Sequence, residues 1–124
     1  KDRYVVHHSN LGGCIFVYLE DANRVREARE ALSETPGVER VLSREEAADE
    51  LRLHRERIGD LVVTGEADVV FGDPSEVELP QGLRSHASFH EQEVPLIGYN
   101  GDFEGFRFEE NLDLGRYLFE RVLG

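Results

Sequence analysis

The chain has 124 residues with one cysteine, no methionine and a formal net charge of −12, a length suited to a single hydrophobic core. So acidic a balance excludes a nucleic-acid backbone as partner, because phosphate contacts need basic patches that displace counterions. No apolar stretch reaches the ~20 residues of a membrane span, no signal peptide is present, and Cys14 alone supports neither a disulfide framework nor a CxxC metal knuckle. A cytoplasmic location is the expectation. With no methionine and a bulky Lys1 in first place, the chain is expected to be a piece of a longer product.

Tyr4-Val5-Val6-His7 and Ile15-Phe16-Val17-Tyr18-Leu19 are β-rich runs flanking Ser9-Asn10-Leu11-Gly12-Gly13. That is the pattern of a hairpin whose glycine pair provides unusual backbone angles. Cys14, inside an apolar run, reads as a small buried hydrophobe. Ala22, Val25, Ala28 and Leu32 share one face of a helix predicted over 21–33, with Asp21 as N-cap and Thr35-Pro36-Gly37 as its stop. Val38 to Leu42 reads as a short strand. Ser43-Arg44-Glu45-Glu46 has capping-box spacing and opens a helix that runs to about Leu51.

A charged connector, Arg52 to Arg57, precedes two further predicted strands, Ile58 to Thr64 and Val69 to Phe71. Residues 72–83, with Pro74 and Pro80, form a loop and the candidate internal boundary. Val94 to Ile97 reads as a buried strand and Phe106 to Phe108 as extended. Asn111 is the expected cap of a last helix with Leu112, Leu114, Leu118, Phe119 and Val122 as its apolar stripe. Gly115 inside that helix costs up to about 1 kcal/mol relative to alanine. Interleaved strands and helices behind a hairpin predict an α+β fold: an antiparallel or mixed sheet with two helices on one face.

Chemistry concentrates at Arg84-Ser85-His86-Ala87-Ser88-Phe89-His90-Glu91-Gln92-Glu93-Val94-Pro95. His86 lies in a loop of small residues ahead of an apolar run, where a neutral imidazole can be aimed at a metal. His90 follows four residues later and reads as an exposed turn residue. His7 and His8 are adjacent, so on a strand they point to opposite faces and do not share one metal; His54 reads as solvated. Asp60 and Asp73 have no partner at ligand spacing. Gly12-Gly13 is no phosphate cradle, because a strand follows it. Ser85 and Ser88 lack the elbow or companion base of a nucleophile.

Read together, Tyr4 through the Gly12-Gly13 hairpin, Pro36-Gly37-Val38, Arg44-Glu45-Glu46-Ala47, Arg57-Ile58-Gly59-Asp60 and Arg84 through Pro95 closely resemble the phosphonoacetate hydrolases of the alkaline phosphatase superfamily, which are related to the nucleotide pyrophosphatases and phosphodiesterases. The resemblance implies that His86 is a metal ligand and that residues 1–80 form an α+β cap-like region. Residues 81–124 would then be the metal-ligand loop, a strand and the terminal helix from the edge of an α/β core. It further implies two zinc ions, a small-molecule phosphonate as substrate, and hydrolysis of the C–P bond to acetate and phosphate. The threonine nucleophile and the aspartate ligands of such enzymes match no segment here. The isolated chain is therefore expected to be inactive and to depend on the remainder of the parent polypeptide. The family's residue after this histidine is usually glycine, and here it is Ala87; a required positive φ would strain it. Two other readings stand beside this one: a non-catalytic acidic α+β binding module, and a related phosphodiesterase or nucleotide pyrophosphatase fragment.

Overall fold

A computed structural model describes residues 12–72 and 86–124 of the chain. Contacts divide the chain into two compact units, Lys1–Glu93 and Val94–Gly124. The first is the α+β fold expected from the sequence. Its strands are β1 (Cys14–Val17), β2 (Val38–Ser43) and β3 (Leu61–Gly65), and its helices are α1 (Val25–Ser33) and α2 (Arg44–Glu50). The sheet is antiparallel throughout, in the order β1-β3-β2.

The register fixes which side chains share a face. Ile15 pairs with Val63 and Val17 with Leu61 across β1–β3, while Val41 pairs with Val63 across β2–β3. Leu61, Val63 and Val41 form one buried face, against which Val25, Ala28 and Leu32 of α1 pack. Val62 and Leu42 point the other way and are buried with Ala47 of α2 and Ile58, while Cys14, Leu51 and Leu53 close the edge. The two helices therefore cover opposite faces, which corrects the one-face expectation. The cause is local: α2 begins at the residue after β2 ends, so no linker exists in which the chain could cross to the side of α1. Leu61-Val62-Val63, all fully buried, is the continuous apolar run of a strand covered on both sides.

The helix starts are governed by short-range hydrogen bonds. Asp21 accepts from the amide of Asn23 at 2.9 Å and opens a 3-10 turn that leads into α1. Ser43 and Glu46 form the expected capping box. Gly37 has φ +85°, a left-handed conformation that glycine adopts without a Cβ penalty. Val69 to Phe71 is not a strand: among the described residues it forms an isolated bridge, Phe71 to Gly12.

Asp60 ties the sheet together at its entrance. Its carboxylate accepts from the Leu19 amide at 2.8 Å and from Arg44 Nη2 at 2.7 Å, and its own amide donates to Val17 at 2.8 Å. Arg44 also donates to the Gly59 carbonyl at 3.2 Å. One carboxylate thus joins the end of β1, the start of α2 and the start of β3. This is a structural duty, in line with the sequence reading of Asp60 as a non-ligand.

In the second unit, α3 (Asn111–Tyr117) continues into a π-helical turn, Leu118–Val122. The cap is Glu110, not Asn111. Asp113 accepts from the amides of Glu109 and Glu110 at 2.7 and 2.9 Å, so its carboxylate fixes the start one residue earlier. Phe103, Phe106, Phe108 and Tyr117 form an aromatic cluster with ring centroids 4.8–6.2 Å apart, and Arg116 lies over Phe106 at 4.7 Å. Residues 94–97, expected to be a buried strand, carry no strand, and Ile97 is 88% exposed. An apolar run becomes a strand when a neighbour takes its hydrogen bonds, and the second unit contains no strand of its own to do so.

Two outcomes follow from these ties. Asp60→Ala should lower the unfolding free energy by about 1–3 kcal/mol in urea denaturation, and Arg44→Ala by less; wild-type stability in Asp60→Ala would show the tie to be idle. The Ser43 amide, followed by Arg29, holds the Glu46 carboxyl at about 2 against an ordinary value of 4.5. With the folded value depressed, this stabilisation is complete above the unfolded value and drains as pH falls toward the folded one. Glu46→Gln should therefore show its stability deficit above pH 4.5 and converge with the parent chain near pH 2; a deficit independent of pH would contradict the assignment.

Candidate functional site

The loop that carries His86 crosses the end of the sheet at which β3 finishes. The Gly13 amide donates to the His86 carbonyl at 2.7 Å, while the Gly13 carbonyl accepts from Gly65 at 2.9 Å. Gly12 is held from the other side, its carbonyl accepting from Phe71 at 2.8 Å. The glycine pair is thus pinned to β3 and to Phe71, and it carries the histidine loop in turn. Neither glycine has a positive φ, so the pair does not serve the unusual backbone angles expected from the sequence. It serves close approach: a Cβ on Gly13 would stand 2.5 Å from Ser88 Cβ, and one on Gly12 would stand 3.2 Å from His86 Cε1.

Beyond His86 the chain turns back on itself. Ala87 has φ +69°, so the position does take the left-handed conformation that would strain an alanine, at a cost of roughly 1–2 kcal/mol for an L-residue with a Cβ. Ser88 then opens a 3-10 turn, Phe89–Glu91, with a capping box. The Ser88 amide and hydroxyl both donate to Glu91 Oε2, the amide at 2.9 Å, and the Ser88 hydroxyl oxygen accepts from the His90 amide at 3.0 Å. These bonds from Ser88, with smaller contributions from His90 and His86, hold the Glu91 carboxyl below its ordinary range. The Ser-x-x-Glu spacing of this cap is visible in the sequence, although the sequence reading weighed Ser88 solely as a nucleophile. No described geometry gives it that role.

The far end of the loop rests on β2. A register shift between Val38 and Arg40 makes Glu39 the extra residue of a bulge, a feature that redirects a side chain. Glu39 Oε2 lies 3.2 Å from His90 Nε2. Arg40, paired with Glu50 at 2.7 Å, stacks over the Phe89 ring at 4.8 Å. The loop is therefore fastened to β1 at one end and to β2 at the other.

His86 itself is exposed, and no described residue hydrogen-bonds its ring nitrogens. His90 is exposed, as expected, and bound to Glu39. His86 precedes the 3-10 turn and is not on it, so the four-residue spacing does not place the two imidazoles on one helical face. His54 is exposed and accepts from the Glu56 amide at 3.3 Å, capping a 3-10 turn. Cys14 is half-buried against the α2-side core, and burial pushes its thiol pKa up, which leaves it a packing residue. His7, His8, Asp73 and Ser85 lie outside the described residues. Among the described residues no group of three His, Cys, Asp or Glu side chains is arranged to hold a metal ion. Of the three exposed imidazoles in the described part, His86 is the one whose ring nitrogens have no described partner, and no complete metal site is found there. No helix among the described residues is long and apolar enough to cross a membrane.

No family model matches the chain. Among solved structures it is similar to phosphonoacetate hydrolase from Sinorhizobium meliloti 1021. The complex with phosphonoacetate aligns at 35% identity and a TM-score of 0.57, covering 72% of this chain and 22% of that one. The complex with phosphonoformate aligns at 35% identity and a TM-score of 0.58, covering 73% of this chain and 23% of that one. The chain thus spans less than a quarter of the enzyme it matches. It is a relative of the phosphonoacetate hydrolases, corresponding to a part of such an enzyme and not to the whole.

Proposed function

We propose that this chain is part of a zinc-dependent hydrolase that splits the C–P bond of phosphonoacetate into acetate and phosphate, and that His86 is one of its metal ligands. In that reaction a P–O bond forms, the P–C bond breaks and the departing carbon takes up a proton. The observation that carries the reading is the 35% identity over 72% of the chain to a phosphonoacetate hydrolase. Both similar structures hold small phosphonates, which favours a phosphonate over a phosphodiester or nucleotide substrate. A cytoplasmic site of action belongs to the same reading.

The loop geometry fits a ligand role for His86. The residue is exposed on a fastened loop and its ring nitrogens are free of described partners. A bound zinc ion would polarise a phosphoryl oxygen and favour the ionised form of the attacking hydroxyl. One imidazole cannot close a tetrahedral zinc site. The reading therefore assigns the nucleophile, the other ligands and the second metal to the remaining polypeptide of the parent enzyme.

The 124-residue chain with added zinc should release no phosphate from phosphonoacetate and take up no tight, stoichiometric metal. In the enzyme that contains this stretch, His86→Ala should reduce metal content and lower C–P hydrolysis by at least about 100-fold. Full metal content in that variant would sink the ligand assignment. Ala87→Gly removes the Cβ penalty at φ +69°. Glycine's own backbone entropy offsets roughly 0.5–1 kcal/mol of that gain, so hydrogen exchange of the Gly13 amide, which is bonded to His86, should slow about three- to fivefold; unchanged or faster exchange would mean that the loop carries no strain.

A further inference from the structure

We propose that Gly12 is a positioning residue for His86: its missing side chain forms the seat against which the imidazole rests, and that seat sets the ring's direction. This rests on the reading of His86 as a metal ligand. A ligating histidine is usually oriented by a hydrogen bond from its second ring nitrogen to a carboxylate or carbonyl. No described residue makes such a bond to His86, so among the described contacts the ring is aimed by packing. The surface it packs on is Gly12. A Cβ there would stand 3.2 Å from His86 Cε1, 3.5 Å from Nδ1 and 3.5 Å from the His86 carbonyl oxygen.

The distances separate two uses of glycine. Gly12 is not in the left-handed region, so alanine can adopt its backbone conformation and conformational freedom is not what the position needs. The 3.5 Å approach to the carbonyl is ordinary contact, whereas 3.2 Å to Cε1 requires the neighbour to give way. The ring is the part of His86 that must move. Gly13 plays a different role: its added Cβ would meet Ser88 at 2.5 Å and would lift the whole loop. Gly12 is itself tethered by the bond from Phe71 at 2.8 Å, whereas His86 is exposed, so the imidazole is the side that yields.

The test is a double-mutant cycle on the full 124-residue chain, read by denaturation and by NMR. Gly12→Ala should reduce the folding equilibrium constant about fivefold in the parent background and by less than about 1.5-fold in His86→Ala, where the ring is gone. In Gly12→Ala alone, the His86 Hδ2 and Hε1 shifts should move while the amide shifts of Leu61–Gly65 stay in place. An equal cost in both backgrounds, or an unchanged His86 ring signature, would overturn the seat. Metal content of the parent enzyme carrying His86→Ala is a separate readout. If metal is retained there while the cycle shows coupling, the ligand assignment fails and the seat stands. If metal is lost and the cycle shows no coupling, the seat fails alone.

Discussion

The rest of the first unit depends on the double burial of β3. Leu61–Gly65 is bonded along both edges and covered on both faces, so Leu61, Val62 and Val63 are each committed to one of two cores. Side chains on a strand alternate between faces, and a slip of one residue would exchange the α1-side set, Leu61 and Val63, with Val62 on the α2 side. The register is pinned against such a slip by Asp60, which holds the incoming chain to Leu19 and Arg44. The His86 loop is tied to this strand through one chain of bonds: Gly65 holds Gly13, and Gly13 holds the loop.

Elements with local causes were legible in the sequence. The Ser43–Glu46 capping box forms as read, and Val25, Ala28 and Leu32 share the expected α1 face, while Asp21 caps a 3-10 turn ahead of α1 that leaves Ala22 exposed. Elements whose cause lies far along the chain were not. Val94 to Ile97 has the composition of a buried strand, but pairing decides between strand and coil, and composition carries no information about the partner. The side on which α2 packs depends on the absence of a linker after Ser43. That could have been noticed, as could the unbroken Leu61-Val62-Val63 run, which signals cover on both faces.

The site divides along the same line. His86 and the left-handed backbone of Ala87 were approached through the resemblance to the hydrolases, because a single histidine in a small-residue loop carries little meaning by itself. The glycine pair shows the limit of residue type as a signal. Glycine serves positive φ and close approach equally well, and Gly12-Gly13 looks the same in sequence under either use. Contact distances alone separate them. The Ser88–Glu91 cap and the Glu39 bulge matter for the same loop, yet the bulge depends on strand register and leaves no mark in composition.

The second unit leaves a good deal of hydrocarbon facing water: Leu112, Phe119, Val122 and Leu123 along its helical end, and Ile97 and Tyr99 ahead of it. For the chain in isolation this has a colloidal consequence. Copies carrying a net charge of −12 repel one another at low ionic strength, and that repulsion opposes contact between their greasy surfaces. Near physiological ionic strength the screening length shrinks to about 8 Å. Dispersal of the chain then rests on a balance between shortened repulsion and hydrophobic attraction, so ionic strength becomes a lever on its handling.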